Sequence, residues 1–133
     1  MKKHASGAFD VKAAPLASDF KADSGLGRVS LDKQYHGDLE ATAKGEMLYA
    51  GGPAKGSGGA VAIEQINGTL HGRSGSFVLQ HSGTMTPASA HMTATVVPDS
   101  GTGQLAGLTG SLTIKIDNGQ HSYELEYSLP ETP

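Results

Sequence analysis

Two side chains that could exchange protons lie in one alternating stretch of the sequence. Glu64 begins the segment 64–85 and His81 lies close to its end, and the residues between them alternate largely between polar and apolar side chains. A carboxylate and an imidazole that share an apolar interior can act as a general acid–base pair, because burial and the partner's charge adjust how tightly each holds its proton. A structural ion pair is the alternative interpretation. Glu64 and His81 are therefore our candidate catalytic residues.

The same segment predicts a β-hairpin. Its glycine-bounded connection predicts a turn over Gly72–Gly75, with His71 opposite Ser76. In that register one face is apolar apart from one carboxylate and one imidazole. That face holds Glu64, Ile66, Gly68, Leu70, Phe77, Leu79, His81 and Gly83. A turn at Asn67-Gly68 is the alternative, because Asn-Gly is the stronger turn signal, but it gives no comparable sorting of side chains.

Period-two alternation continues along the rest of the chain and predicts eight strands in all. It is visible around Phe9 and Val11, over 26–36 and 39–49, in both arms of the hairpin, and over 91–97, 112–116 and 123–129. No segment shows a sustained helical period. Eight antiparallel strands of this length close most economically into a barrel, which removes the sheet edges. We therefore expect an all-β protein, an eight-stranded antiparallel β-barrel in one domain over 1–133, with a sandwich as the alternative.

An eight-stranded barrel has an interior just wide enough for packed side chains or one small ligand. Alternation places a set of aromatic and apolar side chains on the inner face, and we expect them to contact a ligand there. These candidate ligand-binding residues are Tyr35, Met47, Phe77, Leu79, Tyr123 and Tyr127. Lys33 also falls on the apolar side of its strand, and we expect it near the rim with its charge in water.

Composition excludes several classes of protein. Ten basic residues against 13 acidic ones give a net charge of −3, which argues against a nucleic-acid partner. The chain has no cysteine, so a thiol nucleophile is impossible. No apolar run is long enough to span a membrane, and no apolar region follows the basic residues 1–4, so we expect no secretory signal and no membrane partner. The expected location is the cytoplasm.

Neither a metal nor a cofactor is expected. The six histidines are scattered, and none is part of a ligand pattern such as His-x-His on one strand. Gly101-x-Gly103-x-x-Ala106 matches a dinucleotide-binding fingerprint, but that fingerprint needs a crossover helix and a parallel strand. A short glycine-broken segment and an antiparallel hairpin follow it instead. We therefore interpret the fingerprint as a tight structural turn.

Three segments resemble a bacterial protein family of unknown function. They are Gly45-Glu46-Met47-Leu48, the segment from His71 to Gly83, and the segment from Val97 to Gly110. That family is thought to share the allene oxide cyclase-like barrel, and the third segment is also similar to a glycine-rich stretch of plant allene oxide cyclases and dirigent proteins. The resemblance implies the barrel fold. It does not carry the cyclase activity over, because the catalytic glutamate of those enzymes matches no residue here.

The predicted function is the binding of a small apolar molecule in the barrel lumen. A cofactor-free cyclase or isomerase using Glu64 and His81 would be one form of it. The alternative is a non-catalytic ligand-binding or oligomeric assembly protein. We also expect a homodimer or homotrimer, because several outward positions are apolar and such patches tend to be covered by a partner. These positions are Leu48, Ile63, Val78 and Val97.

Overall fold

The protein is a closed barrel of eight antiparallel strands in the computed structural model, which describes residues 2–21, 24–51 and 56–130. Each strand pairs with the next one along the chain, and β8 pairs with β1 to close the barrel. The all-β barrel prediction is therefore confirmed. The strands are β1 (Lys3–Pro15), β2 (Leu26–Tyr35), β3 (Leu39–Gly51), β4 (Gly58–Leu70), β5 (Arg73–Thr86), β6 (Ser89–Val96), β7 (Thr109–Asp117) and β8 (Gln120–Ser128).

The hairpin between β4 and β5 has a tighter turn than predicted. The two loop residues are His71 and Gly72, with φ angles of 48° and 81°. Two positive φ angles are typical of the type I′ turn, which matches the twist of the flanking strands. The predicted four-residue turn over Gly72–Gly75 is wrong, because a two-residue turn lets Arg73 pair with Leu70 and lengthens the ladder.

The register changes with the turn, but the faces do not. Ser76 lies opposite Asn67 and not opposite His71, so the pairing is displaced by four residues from the prediction. Side chains alternate with a period of two, and a displacement by an even number of residues leaves every side chain on its face. Leu70 and Phe77 are accordingly buried inside the barrel, as the sorting of the hairpin predicted.

One end of the barrel is closed by packed side chains. We call it the capped end, where the β2–β3, β4–β5 and β6–β7 connections lie. Segment 97–108 follows the edge of β5 there, with Thr102 N donating to Ser76 O at 2.8 Å, and inserts Leu105 and Leu108 into the core. A single 3₁₀ turn, Gly103–Leu105, lies within it. The fingerprint glycines thus belong to a structural turn, as interpreted above.

The described residues do not close the opposite end in this way, and we call it the open end. Inward-facing side chains become more exposed toward it along most of the strands. Leu79 on β5 is fully buried, whereas Met85, six residues farther toward the open end on the same face, is 51% exposed. Met92 on β6 is 41% exposed and Ile116 on β7 is 66% exposed. The barrel therefore has a packed half and an open half lined with apolar side chains.

The ladder between β6 and β7 is much shorter than the strands themselves. Among the described residues it consists of Ala94 paired with Leu112 and Thr95 paired with Ser111. Toward the open end, 89–93 of β6 and 113–117 of β7 continue without pairing to each other, although each pairs with its other neighbour. The barrel wall therefore has a narrow seam at this place.

Candidate functional site

A group of polar side chains lies between the packed and the open halves. Lys33 and Tyr35 extend inward from β2, Glu64 from β4 and His81 from β5, and we call these four residues the polar cluster. Strand alternation places all four on the inner face. Lys33 Nζ donates to Glu64 Oε2 at 2.7 Å, and the Tyr35 hydroxyl donates to Glu64 Oε1. Glu64 is only 1% exposed, so the cluster is a buried charged site inside an apolar barrel.

His81 contacts the same carboxylate, but the two groups do not form an aligned hydrogen bond. Its Nε2 lies 2.7 Å from Glu64 Oε2, which is ion-pair distance. The two groups are not aligned for a hydrogen bond, and the buried Nε2 has no hydrogen-bond partner among the described residues. Glu64 is opposite Leu79 and His81 is opposite Ala62, so the two side chains are diagonal neighbours across the hairpin. The structure thus brings both candidate catalytic residues together.

Lys33 does not lie where the sequence placed it. We expected it at the rim with its charge in water, and it is instead 7% exposed. The Glu64 carboxylate supplies the counter-charge that makes this burial tolerable. The ammonium also lies 5.2 Å from the ring centre of Phe9 and 5.8 Å from that of Tyr35, within range of cation–π attraction. The alternation of side chains on its strand had placed Lys33 on the inner face, and this placement was the one sequence signal that it belongs to the site.

The cluster fixes the charges of its acidic members. Burial by itself would raise the pKa of Glu64, but the contact with His81 and the charge of Lys33 outweigh it and lower the pKa to about 2. Burial raises the pKa of the Tyr35 hydroxyl well above its ordinary value, and the charge of Glu64 raises it further. Glu64 therefore stays ionised and Tyr35 stays protonated at neutral pH.

The other candidate ligand-binding residues divide between the two halves. Phe77, Leu79, Tyr123 and Tyr127 are buried in the core of the packed half. The Tyr123 hydroxyl accepts a hydrogen bond from Leu39 N at 2.9 Å, which ties it to the capped end. Met47 lies in the open half and is partly exposed. Only Tyr35 of the six belongs to the polar cluster.

Small residues lie beside the polar cluster on β3, β4 and β5. Ala43, Gly45, Ala62 and Gly83 face inward on neighbouring strands. Beyond them, longer apolar side chains line the mouth of the barrel, namely Met47, Tyr49, Met85, Met92 and Ile116. An apolar molecule in this mouth would have its inner end directed toward the polar cluster.

A second polar group lies at the capped end, and we call it the capped-end cluster. His71 Nδ1 is hydrogen-bonded to the Tyr127 hydroxyl, and His71 Nε2 lies 3.6 Å from Asp38 Oδ2. Asp38 Oδ2 also accepts a hydrogen bond from Ser6 N at 2.9 Å. These contacts connect the β2–β3 turn, the β4–β5 turn, β8 and β1. His71 and Asp38 are both partly exposed, so the capped-end cluster joins loops at the surface of the barrel.

Other site types find little support in the described part of the chain. No group of three or more His, Cys, Asp or Glu side chains there could hold a metal ion. None of its helices is long and apolar enough to cross a membrane. Of the outward apolar positions, Leu48 and Ile63 are exposed, whereas Val78 and Val97 are partly buried. Self-association through that face stays a prediction, which light scattering reporting a monomer at micromolar concentration would contradict.

Comparison with known proteins identifies relatives for the whole chain. None of the curated proteins matches it. A crystal structure of a protein with unknown function from the DUF3224 family of Shewanella oneidensis MR-1 is 47% identical, covers 98% of this chain and 100% of its own, and gives a TM-score of 0.91. The resemblance to a family of unknown function is thereby confirmed, whereas the likeness to allene oxide cyclases stays a prediction. The DUF3224 family, described as proteins of unknown function, matches residues 5–127, and this chain belongs to it.

Proposed function

We propose that the barrel binds one small, largely apolar molecule in its open half, with a polar group of that molecule against the polar cluster. One observation carries this proposal. The exposure of inward side chains rises toward the open end, and the charged cluster lies where the packed half stops. A molecule seated there would cover the apolar mouth and reach Lys33 and His81 at its inner end.

The energetics of the cluster support a binding role. A buried ion pair is seldom the most stable way to fill a core, because the desolvation of both charges offsets much of their attraction. Lys33 and Glu64 are such a pair, and His81 Nε2 adds a buried nitrogen without a hydrogen-bond partner. Apolar side chains exposed inside the mouth, such as Met85 and Met92, add a further cost that a ligand would relieve. Both features are accounted for if the site is completed by a ligand.

The charges of the cluster favour binding over the predicted use of Glu64 as a catalytic base. A carboxylate with a pKa of about 2 accepts a proton poorly at neutral pH. His81 is the better candidate for proton transfer, because its Nε2 is not engaged in an aligned hydrogen bond. Cyclase or isomerase chemistry is therefore a second candidate function, and it would depend on His81 with Glu64 as the group that orients it.

A neutral, apolar fluorescent probe such as N-phenyl-1-naphthylamine tests the proposal. Ala60 faces inward in the open half, between Tyr49 and Gly83 on the neighbouring strands, so Ala60→Trp should fill the cavity. We expect that variant to weaken probe binding by about tenfold or more, which corresponds to roughly 1.4 kcal/mol. The titration is followed by the rise in probe fluorescence.

The adjacent residue provides a matched control for that experiment. Val61 is the next residue of β4, faces outward and is 52% exposed, so Val61→Trp adds the same ring to the outer surface. We expect its probe affinity to equal that of the unmodified protein. If Ala60→Trp folded, judged by its circular dichroism, and bound the probe unchanged, or if only Val61→Trp altered binding, the proposal would be overturned.

A further inference from the structure

We propose that the polar group of the ligand is a carboxylate, and that its binding is coupled to the uptake of one proton by His81. This inference rests on the proposed function, and it adds the chemical class of the ligand. It follows from the hydrogen-bonding capacity that the polar cluster leaves unused and from the balance of its charges.

The unused capacity of the cluster consists mainly of donors. The Lys33 ammonium has three N–H groups, and its one hydrogen bond in the described residues goes to Glu64 Oε2. His81 adds Nε2, which lies at ion-pair distance from Glu64 Oε2 but forms no aligned hydrogen bond within the described residues. The only acceptor group in the cluster that is not also a donor, the Glu64 carboxylate, already receives Lys33 and Tyr35. A group that fits this site must therefore accept hydrogen bonds.

The spacing of the two donors suits a group with two acceptor atoms. Lys33 Nζ and His81 Nε2 both lie 2.7 Å from Glu64 Oε2, so they are no farther apart than twice that distance. A carboxylate can place one oxygen near each nitrogen, and charge-assisted hydrogen bonds of this kind are the stronger ones. A hydroxyl or a single carbonyl oxygen would leave one of the two donors without a partner.

The charges facing the site determine what else must happen when a carboxylate enters. Lys33 and Tyr35 approach from β2, Glu64 from β4 and His81 from β5, while His121 on β8 packs against Phe9 with ring centres 5.2 Å apart. Lys33 balances Glu64, so a second carboxylate would leave a net negative charge in a buried site. Such an uncompensated charge is costly, and one additional proton removes it.

His81 is the member of the cluster that can take this proton. The raised pKa of Tyr35 means that its hydroxyl is already protonated, and Glu64 has a pKa of about 2. Lys33 already carries its charge as the partner of Glu64. With an imidazolium at His81, two cations face two carboxylates, and the proton comes from the solvent and is held on the ring as a new N–H.

Octanoate and 1-octanol form a matched pair of probes for this inference, since they share an eight-carbon chain and differ in the head group. Each is titrated against the bound fluorescent probe to obtain its affinity. Calorimetric titration of octanoate in phosphate and in Tris then gives the number of protons taken up, because the two buffers differ in ionisation enthalpy. We expect octanoate to bind about tenfold more tightly than 1-octanol or better, with uptake close to one proton.

The variant His81→Gln tests whether the preference for a carboxylate and the uptake of a proton both depend on His81. It retains the Lys33–Glu64 pair, so we expect a protein that still folds, judged by its circular dichroism, that binds octanoate no better than 1-octanol and that takes up no proton. Equal affinities of the unmodified protein for the two probes, or octanoate binding without proton uptake, would overturn the inference while leaving the cavity intact. If neither compound displaced the fluorescent probe, the proposed function would fail with it.

Discussion

Two clusters that each combine a histidine, a carboxylate and a tyrosine lie at different depths of this barrel. In the capped-end cluster the side chains of His71 and Asp38 are 38% and 45% exposed. In the polar cluster the side chains of His81 and Glu64 are 5% and 0% exposed. Water can replace a lost partner in the first cluster but not in the second. The same residue types therefore hold loops together at one end and leave hydrogen-bonding capacity unused at the centre.

The comparison also separates stability from function. Buried polar groups destabilise a protein strongly when one partner is lost, whereas exposed pairs contribute little. We therefore expect substitutions in the polar cluster to affect both folding and ligand binding. Substitutions in the capped-end cluster should have small effects on folding and none on ligand binding.

The largest effect is expected from Glu64→Gln. This change keeps the shape of the side chain but leaves the Lys33 ammonium buried without its counter-charge, which should lower the free energy of unfolding by about 3–5 kcal/mol. Urea denaturation measures it. Glu124→Gln is the matched control, since Glu124 pairs with Lys115 at 3.1 Å on the surface and should cost less than about 1 kcal/mol.

A double variant shows whether that effect comes from the unpaired charge. Lys33→Met combined with Glu64→Gln removes both charges, and we expect it to recover most of the stability lost in Glu64→Gln. Similar losses for Glu64→Gln and Glu124→Gln, or no recovery in the double variant, would mean that depth does not distinguish the buried pair from a surface pair.

Lowering the pH should remove the contribution of the Glu64 carboxylate to stability. Its pKa is lowered from 4.5 to about 2 in the folded protein, so its contribution to stability is present above pH 4.5 and is lost as the pH falls toward 2. The difference in the free energy of unfolding between the unmodified protein and Glu64→Gln should therefore shrink over that range. A constant difference across it would contradict the assignment of the low pKa to Glu64.

The smallest effects on the free energy of unfolding are expected from replacing one tyrosine in each cluster. These two variants compare the clusters directly. Tyr35→Phe removes the donor to the buried Glu64 Oε1 and should cost about 1–3 kcal/mol. Tyr127→Phe removes the contact with His71, which is partly exposed and can bond to water, so about 1 kcal/mol or less is expected. Denaturant unfolding of the two variants under identical conditions gives the comparison, and the reverse order would refute it.

Alternation of side chains was sufficient to predict the barrel and the inner face of its hairpin. It placed Glu64 and His81 on the inner face of the hairpin and Lys33 on the inner face of β2, because a period of two does not depend on which residues pair across strands. It could not give the register, since the His71-Gly72 turn and the longer predicted turn sort the side chains identically. Register is decided by turn geometry and by the length of the ladder, which the pattern does not encode.

The sequence pattern could not predict contacts between residues that lie far apart in the chain. Lys33 lies 31 residues before Glu64, and its burial became reasonable only once the carboxylate was known to lie beside it. The contact of His71 with Tyr127 joins residues 56 positions apart and needs the barrel to be closed. The sequence placed Lys33 at the rim, because charge predicts exposure when no partner is known, and gave no sign of the contact between His71 and Tyr127.

The seam between β6 and β7 has a consequence for the motion of the barrel. Strand amides that point across the seam in 89–93 and 113–117 have no acceptor on the facing strand, so they should exchange with deuterium well before the amides of the β3–β4 ladder. Met92 and Ile116 face the interior on the two sides of this seam. Spreading of these strands would give an apolar molecule a sideways path into the barrel, and slowed exchange at 89–93 with octanoate bound would reveal its use.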